Sequence, residues 1–124
     1  MQLTEHRNEH HLFLRHADAT GVTIVDRRIE RSVALSASRV IEDFPARSVT
    51  ELDGATVAAI LSLEPEVVLL GTGSRAVFPA PALLAEFLTR GIGVETMDNA
   101  AAARTFNVLV GEGRRAVAVF LLAG

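Results

Sequence analysis

Two apolar runs without alternation constrain this chain most. Val67-Val68-Leu69-Leu70 and the eight residues from Ala116 to Ala123 contain no polar side chain. A strand with one wet face alternates apolar and polar residues, so these runs read as strands buried on both faces, the mark of a parallel sheet covered by helices. Pro65 stops a preceding helix over residues 51 to 63, whose stripe is Leu52, Val57, Ile60 and Leu61 with Ala59 at its margin, and which Thr50 or Asp53 can cap. Pro79 and Pro81 fit the start of a second helix through Arg90, with Leu83, Leu84, Phe87 and Leu88 facing the core and Gly91 at its C-terminal end.

Residues 91 to 107 continue the pattern. A short strand, Gly93 to Glu95, leads to Asp98, which has the side chain of a helix N-cap, and Ala100 to Ala103 open a third helix. Its apolar face is Ala102, Ala103, Phe106, Leu109 and Val110, and Gly111-Glu112-Gly113 closes it. Before all this, Leu12 to Glu42 runs at period two through Leu12, Leu14, Val22, Ile24, Ile29, Val33, Leu35, Val40 and Ile41. Turn signals at Asp18 to Gly21 and at Asp26-Arg27 divide these short strands. The segment reads as an antiparallel β-meander with Arg15, Thr23, Arg28, Glu30 and Ser32 turned to water, ended by Asp43-Phe44-Pro45. A meander followed by βαβ makes a small antiparallel unit joined to an α/β layer.

Length bounds the organisation: 124 residues suit one domain with one core. Residues 11 to 124 are read as that globular domain and residues 1 to 10 as a flexible polar tail. Aromatics are 5% of the chain, all Phe, so Val, Leu, Ile and Ala must fill the core.

Composition also excludes chemistry. The absence of Cys removes disulfides, thiolate nucleophiles and thiolate metal sites. All twelve basic residues are Arg, which removes lysine Schiff bases and a lysine phosphate loop. Net charge is −3, and the arginines are spread along the chain, so no basic face for nucleic acid is expected. His6, His10, His11 and His16 are the residue type of metal ligands, but they lie in or beside the tail without a scaffold, and no metal site is assigned to them. No leader-like apolar region opens the chain and its longest apolar run cannot cross a bilayer, so no membrane insertion and a cytoplasmic location are expected.

One constellation invites a functional reading. Gly71, Gly73 and Ala76 fit the spacing of a dinucleotide fingerprint, and Glu95 ends the next strand where an acid would take ribose hydroxyls. The helix start disagrees, because Phe78-Pro79-Ala80-Pro81 delays it beyond the glycines, and a pyrophosphate must sit on the helix N-terminus. The alternative is that the glycines let the chain leave a buried strand in a tight turn. Parallel strands end at the same edge, so the Gly71, Thr72, Gly73, Ser74, Arg75 loop and the turn before Asp98 should flank a shared crevice. The candidate lining is this loop with Glu95, Asp98, Asn99, Arg104 and Asn107. A helix N-terminus favours an exposed anion by about 0.3–1 kcal/mol, so Arg75 or Arg104 would have to assist. In the plainer reading Asp98 only caps and Arg104 pairs with Glu95 or Asp98. No catalytic set is assigned: residues 44 to 124 hold no His, Lys or Cys, and a serine there would lack its usual base.

Leu69-Leu70-Gly71-Thr72-Gly73, Gly91-Ile92-Gly93-Val94-Glu95 with Met97-Asp98, Ala102-Ala103-Arg104-Thr105-Phe106-Asn107 and Glu112-Gly113-Arg114 occur in an order that resembles one small-protein family. That family includes mitochondrial complex I (NADH dehydrogenase) assembly factor 3 and many uncharacterised bacterial and archaeal proteins. The resemblance covers residues 67 to 122, and the meander matches more loosely. It implies an α/β fold with three layers, a mixed central sheet between helices with extra β-strands. It also implies no established catalytic residue and, for the mitochondrial member, a non-enzymatic role in respiratory complex assembly. The chain departs from it where Ala46-Arg47 follow Phe44-Pro45 in place of the frequent Trp, and where Phe106 replaces a common Tyr.

The expectation is therefore a single three-layer domain acting as a non-catalytic interaction module with a protein partner, without cofactor. The alternative is a protein binding a small anion or nucleotide in the crevice. Self-association through an uncovered sheet edge or apolar face is a lesser expectation.

Overall fold

The computed structural model describes residues 11–123. The expected tail over residues 1 to 10, with His6 and His10, lies outside them. Among the described residues eight strands and three α-helices follow in the order β1 (Leu14–Ala17), β2 (Val22–Ile24), β3 (Arg27–Ile29), β4 (Val33–Leu35), β5 (Val40–Ile41), α1 (Gly54–Leu61), β6 (Val67–Gly71), α2 (Pro81–Leu88), β7 (Gly93–Met97), α3 (Asn99–Gly111) and β8 (Ala116–Phe120).

The strands build two sheets. β1, β2 and β3 pair antiparallel as a separate sheet, while the main sheet has the order β5-β4-β8-β6-β7. In it β6 lies between β7 and β8, parallel to both, and β4 runs antiparallel to β8. The expected meander is thus divided: β4 and β5 leave it and extend the central sheet, making that sheet mixed. Period two marks a strand but does not choose its partner. Ser32 is a further correction, because it does not meet water. It is buried just before β4, where its hydroxyl accepts the Leu122 N–H at 2.9 Å and faces the Leu122 carbonyl at 3.4 Å.

The unalternating runs behave as expected for a sheet covered on both sides. Val67 and Leu69 of β6, with Ala116, Ala118 and Phe120 of β8, join β1–β3 and α3 in one apolar cluster. Their neighbours Val68, Leu70, Val117 and Val119 join α1, α2, Phe44 and Ala46 in a second cluster on the opposite face. The molecule is therefore three layers deep. Each large side chain moved from water to either cluster contributes on the order of 1.5–3 kcal/mol.

Local chemistry sets the helix limits. Asp53 caps α1 by accepting the Thr56 N–H at 2.9 Å, and the Thr56 hydroxyl accepts the Asp53 N–H at 2.8 Å. The helix accordingly starts at Gly54, with Val49–Glu51 in a separate 3-10 turn and Leu52 between them, so the expected start at residue 51 was early. α2 ends at Leu88, short of Arg90. Its Phe87 is buried and Leu83 packs on the core, whereas Leu88 is 62% exposed, against its expected inward place. One side of this helix faces solvent where the sequence pattern had four core positions.

Candidate functional site

The parallel strands β6 and β7 end side by side, and what joins them is hydrogen bonding. Thr72 N–H donates to the Met97 carbonyl at 3.0 Å, and Asn99 N–H donates to the Gly73 carbonyl at 2.8 Å. The Thr72 hydroxyl donates to the Arg75 carbonyl at 2.6 Å and accepts the Val77 N–H at 2.9 Å, folding the loop on itself. Asp98 caps α3 by accepting the Ala101 N–H at 2.7 Å. Of the first N–H groups of this helix, Asn99 and Ala101 are thereby occupied, which leaves Ala100 for any outside acceptor.

Asn99 is the centre of this arrangement and is fully buried. Its Oδ1 accepts the Gly73 N–H at 3.1 Å; its Nδ2 donates to the Asp18 carbonyl at 2.9 Å and faces the Leu121 carbonyl at 3.4 Å. One side chain therefore ties the glycine loop, the β1–β2 turn and the end of β8 together. A carboxamide can do this because it carries acceptor and donors on one planar group. The same contact accounts for Gly71: a Cβ there would lie 2.4 Å from Asn99 Oδ1 and 3.2 Å from the Val119 carbonyl. The glycine makes room for a side chain of the protein itself, and the helix following β6 begins only at Pro81.

The turn that receives Asn99 is held by Asp18. Its carboxylate accepts the Thr20 N–H at 2.8 Å, the Thr20 hydroxyl at 2.9 Å and the Gly21 N–H at 3.0 Å, and His16 Nε2 lies 3.0 Å away. The Thr20 amide first, then His16, hold this carboxyl well below the usual range.

The remaining candidates spread over the surface. Ser74, Arg75, Glu95 and Arg104 are exposed, and among the described residues no ion pair links Arg104 to Glu95 or Asp98. Asn107 stands eight residues along α3 from Asn99, about 12 Å by helical rise. Its side chain accepts the Leu14 N–H at 3.0 Å and donates to the Leu14 carbonyl at 2.7 Å. It completes the edge of β1 as a neighbouring strand would.

A hollow of about 280 Å³ does open beside the loop. Thr72, Gly73 and Ser74 line it together with Arg47, Ser48 and Val49. A larger depression of about 580 Å³ lies next to it, with Arg47, Phe44, Leu122, Arg31 and Asp43 in its wall. Arg31 pairs with Asp43 at 2.7 Å, while Arg47 lies 3.8 Å from Glu51. Arg47 and Ser48 are absent from the residues proposed on sequence. A signal existed: Phe44 and Ala46 are buried while Pro45 and Arg47 are exposed, an alternation legible in Phe44-Pro45-Ala46-Arg47.

Similar proteins share this architecture. An NMR structure from Xanthomonas campestris matches with TM-score 0.83 and 43% identity over 91% of this chain and 86% of that one. The solution structure of a Bordetella pertussis protein, described as a Mth938-like domain, matches with TM-score 0.77 and 25% identity over 91% and 87% of the two chains. A Francisella tularensis subsp. holarctica protein named 13 kDa major membrane protein is 27% identical over 88 residues, covering 70% of this chain and 72% of the relative. Among the described residues of this chain no helix is long and apolar enough to cross a membrane. Residues 14–121 match the family described as "Protein of unknown function (DUF498/DUF598)", and the chain belongs to that family.

Proposed function

We propose that this protein is a non-catalytic interaction module that acts by binding another protein, and that it assists assembly of a respiratory or other redox complex. One observation carries the reading: large apolar side chains that the core could use stand outside it. Of the six phenylalanines, Phe13 is 53% and Phe78 71% exposed, and Leu88 and Val108 are exposed to a similar degree. Side chains exposed in this way are available for contact with a partner. The assembly role rests on the resemblance to the family of complex I assembly factor 3, and the reading takes the chain to work in the cytoplasm. Affinity capture from native lysate with stringent salt washing tests it. A stoichiometric protein partner is expected, and the reading fails if none survives the washes.

The alternative is a small-anion or nucleotide site in the hollow beside Gly71 to Arg75. It is supported by Arg47, Ser48, Thr72 and Ser74 around one opening. Thermal-shift screening with phosphate, nucleotides and carboxylates is its test. A ligand at 100 times its dissociation constant adds about 2.7 kcal/mol, and Arg47→Ala should abolish the shift. A flat screen at millimolar ligand ends this alternative.

A further inference from the structure

Among the described residues β7 is an edge strand, with no strand paired to its outer hydrogen-bonding row. In a parallel pair each residue turns its N–H and C=O to the same side. The Met97 carbonyl accepts from Thr72 and the Asn99 N–H donates to Gly73, so the odd-numbered residues Gly93, Glu95 and Met97 face β6. The even-numbered Val94 and Thr96 therefore direct their N–H and C=O groups away from the sheet. The other sheet edges among the described residues are blunted. β5 has two residues, β3 has three with Arg27 and Arg28 on it, and Asn107 covers β1 at Leu14. β7 has five residues and neither proline nor a basic residue. Native proteins shorten, charge or cover their edges; this edge is long, carries the single charge of Glu95, and is covered by no strand among the described residues.

The side chains around that edge define what fits. Glu95 is exposed at its centre, on the α3 side of the sheet, while Val94 packs on the α2 side, where Leu88 is exposed. A second copy of this chain pairing antiparallel about Glu95 would set Glu95 opposite its own equivalent, where like charges destabilise a strand pair, and pairing about Val94 or Thr96 would set it opposite Gly93 or Met97, leaving its charge unmatched. We propose that β7 is a strand-addition site for an extended segment of a partner protein that places an arginine or lysine across from Glu95 between apolar residues. Main-chain bonds to Val94 and Thr96 supply affinity, and the charge opposite Glu95 supplies selectivity. This deepens the interaction-module reading and rests on it.

The test uses the full chain, ¹⁵N-labelled, titrated with a capped pentapeptide alternating valine and arginine. Its valine–glutamate counterpart and a backbone N-methylated version serve as controls. The valine–arginine peptide should shift the Val94 and Thr96 amide resonances at millimolar concentration, and the two controls at least tenfold less. Thr96→Pro removes an outward N–H without touching the β6 pairing and should weaken binding at least tenfold. Glu95→Arg keeps every backbone group and should reverse the preference toward the valine–glutamate peptide, so the proposal remains testable should the proline variant fold poorly. Absence of shifts, shifts elsewhere, no reversal in Glu95→Arg, or a dimer formed through β7 would each overturn it. A captured native partner that binds wild type, Thr96→Pro and Glu95→Arg alike would overturn the edge while leaving the interaction-module reading intact.

Discussion

The C-terminal end of β7 and its outer edge treat their polar groups in opposite ways. At its C-terminal end, Met97, Asp98 and Asn99 give almost every donor and acceptor to the protein: to Thr72, Gly73, Ala101, Asp18 and Leu121. Along its outer edge, Val94 and Thr96 give theirs to no strand among the described residues. A cluster of polar residues beside a glycine loop looks like a binding site, yet Asp98 and Asn99 there bond to the protein itself. A plain stretch of Gly93-Val94-Glu95-Thr96 carries no motif, yet it keeps bonding capacity in reserve. The contrast shows that what a residue offers to a ligand depends on what its neighbours leave unused.

The comparison can be broken most decisively at the joint. Asn99→Ala leaves the part-buried Gly73 N–H and Asp18 carbonyl without their partner. Stranded groups cost about 1–3 kcal/mol each, so a loss near 3 kcal/mol and a fall in Tm of roughly 12 °C are expected in thermal unfolding. A loss within 0.5 kcal/mol would mean that the joint does not hold the layers together. Gly71→Ala should cost about 1–3 kcal/mol, because the added methyl drives into a hydrogen-bonded amide and not a free side chain. Combining it with Asn99→Ala should then cost less than the sum, which a double-mutant cycle measures.

The pH dependence sharpens the same joint from its other side. The folded-state pKa of Asp18 is depressed, so its contribution is present above the ordinary aspartate value near 4 and is lost as pH falls through the folded value. Acid unfolding followed by circular dichroism should show this dependence, and Asp18→Asn should flatten it between about pH 4 and pH 2. The smallest expected effect concerns the edge. In hydrogen exchange the Glu95 and Met97 amides should be protected while Val94 and Thr96 exchange quickly, an alternation with no change in stability. Uniform protection along β7 would show that its outer row is already covered.

Much of the architecture is legible in the residues because it depends on local patterns. The unalternating runs at 67–70 and 116–122 mark the doubly covered strands, Asp53 and Asp98 are capping residues of α1 and α3, and the α3 stripe at 102, 103, 106 and 110 is buried as its spacing requires. Leu88 shows the limit. Four apolar positions on α2 satisfy helical periodicity, but periodicity does not state how much sheet lies beneath, and β7 at the edge covers only part of that face. Ser32 is similar, since its strand period points outward and only the arrival of Leu122, 90 residues later, buries it.

Sequence alone thus determined which segments are helix or strand, which of them need cover on both faces, and that the chain lacks cysteine and lysine chemistry. These follow from short-range geometry and from composition. Tertiary structure decided that β4 pairs with β8, that Asn99 faces Gly71 and Asp18, and that β7 ends the sheet. Those outcomes depend on the partner each hydrogen-bonding group meets across long stretches of chain, and a glycine spaced for a phosphate has the same residue code as a glycine spaced for a buried carboxamide.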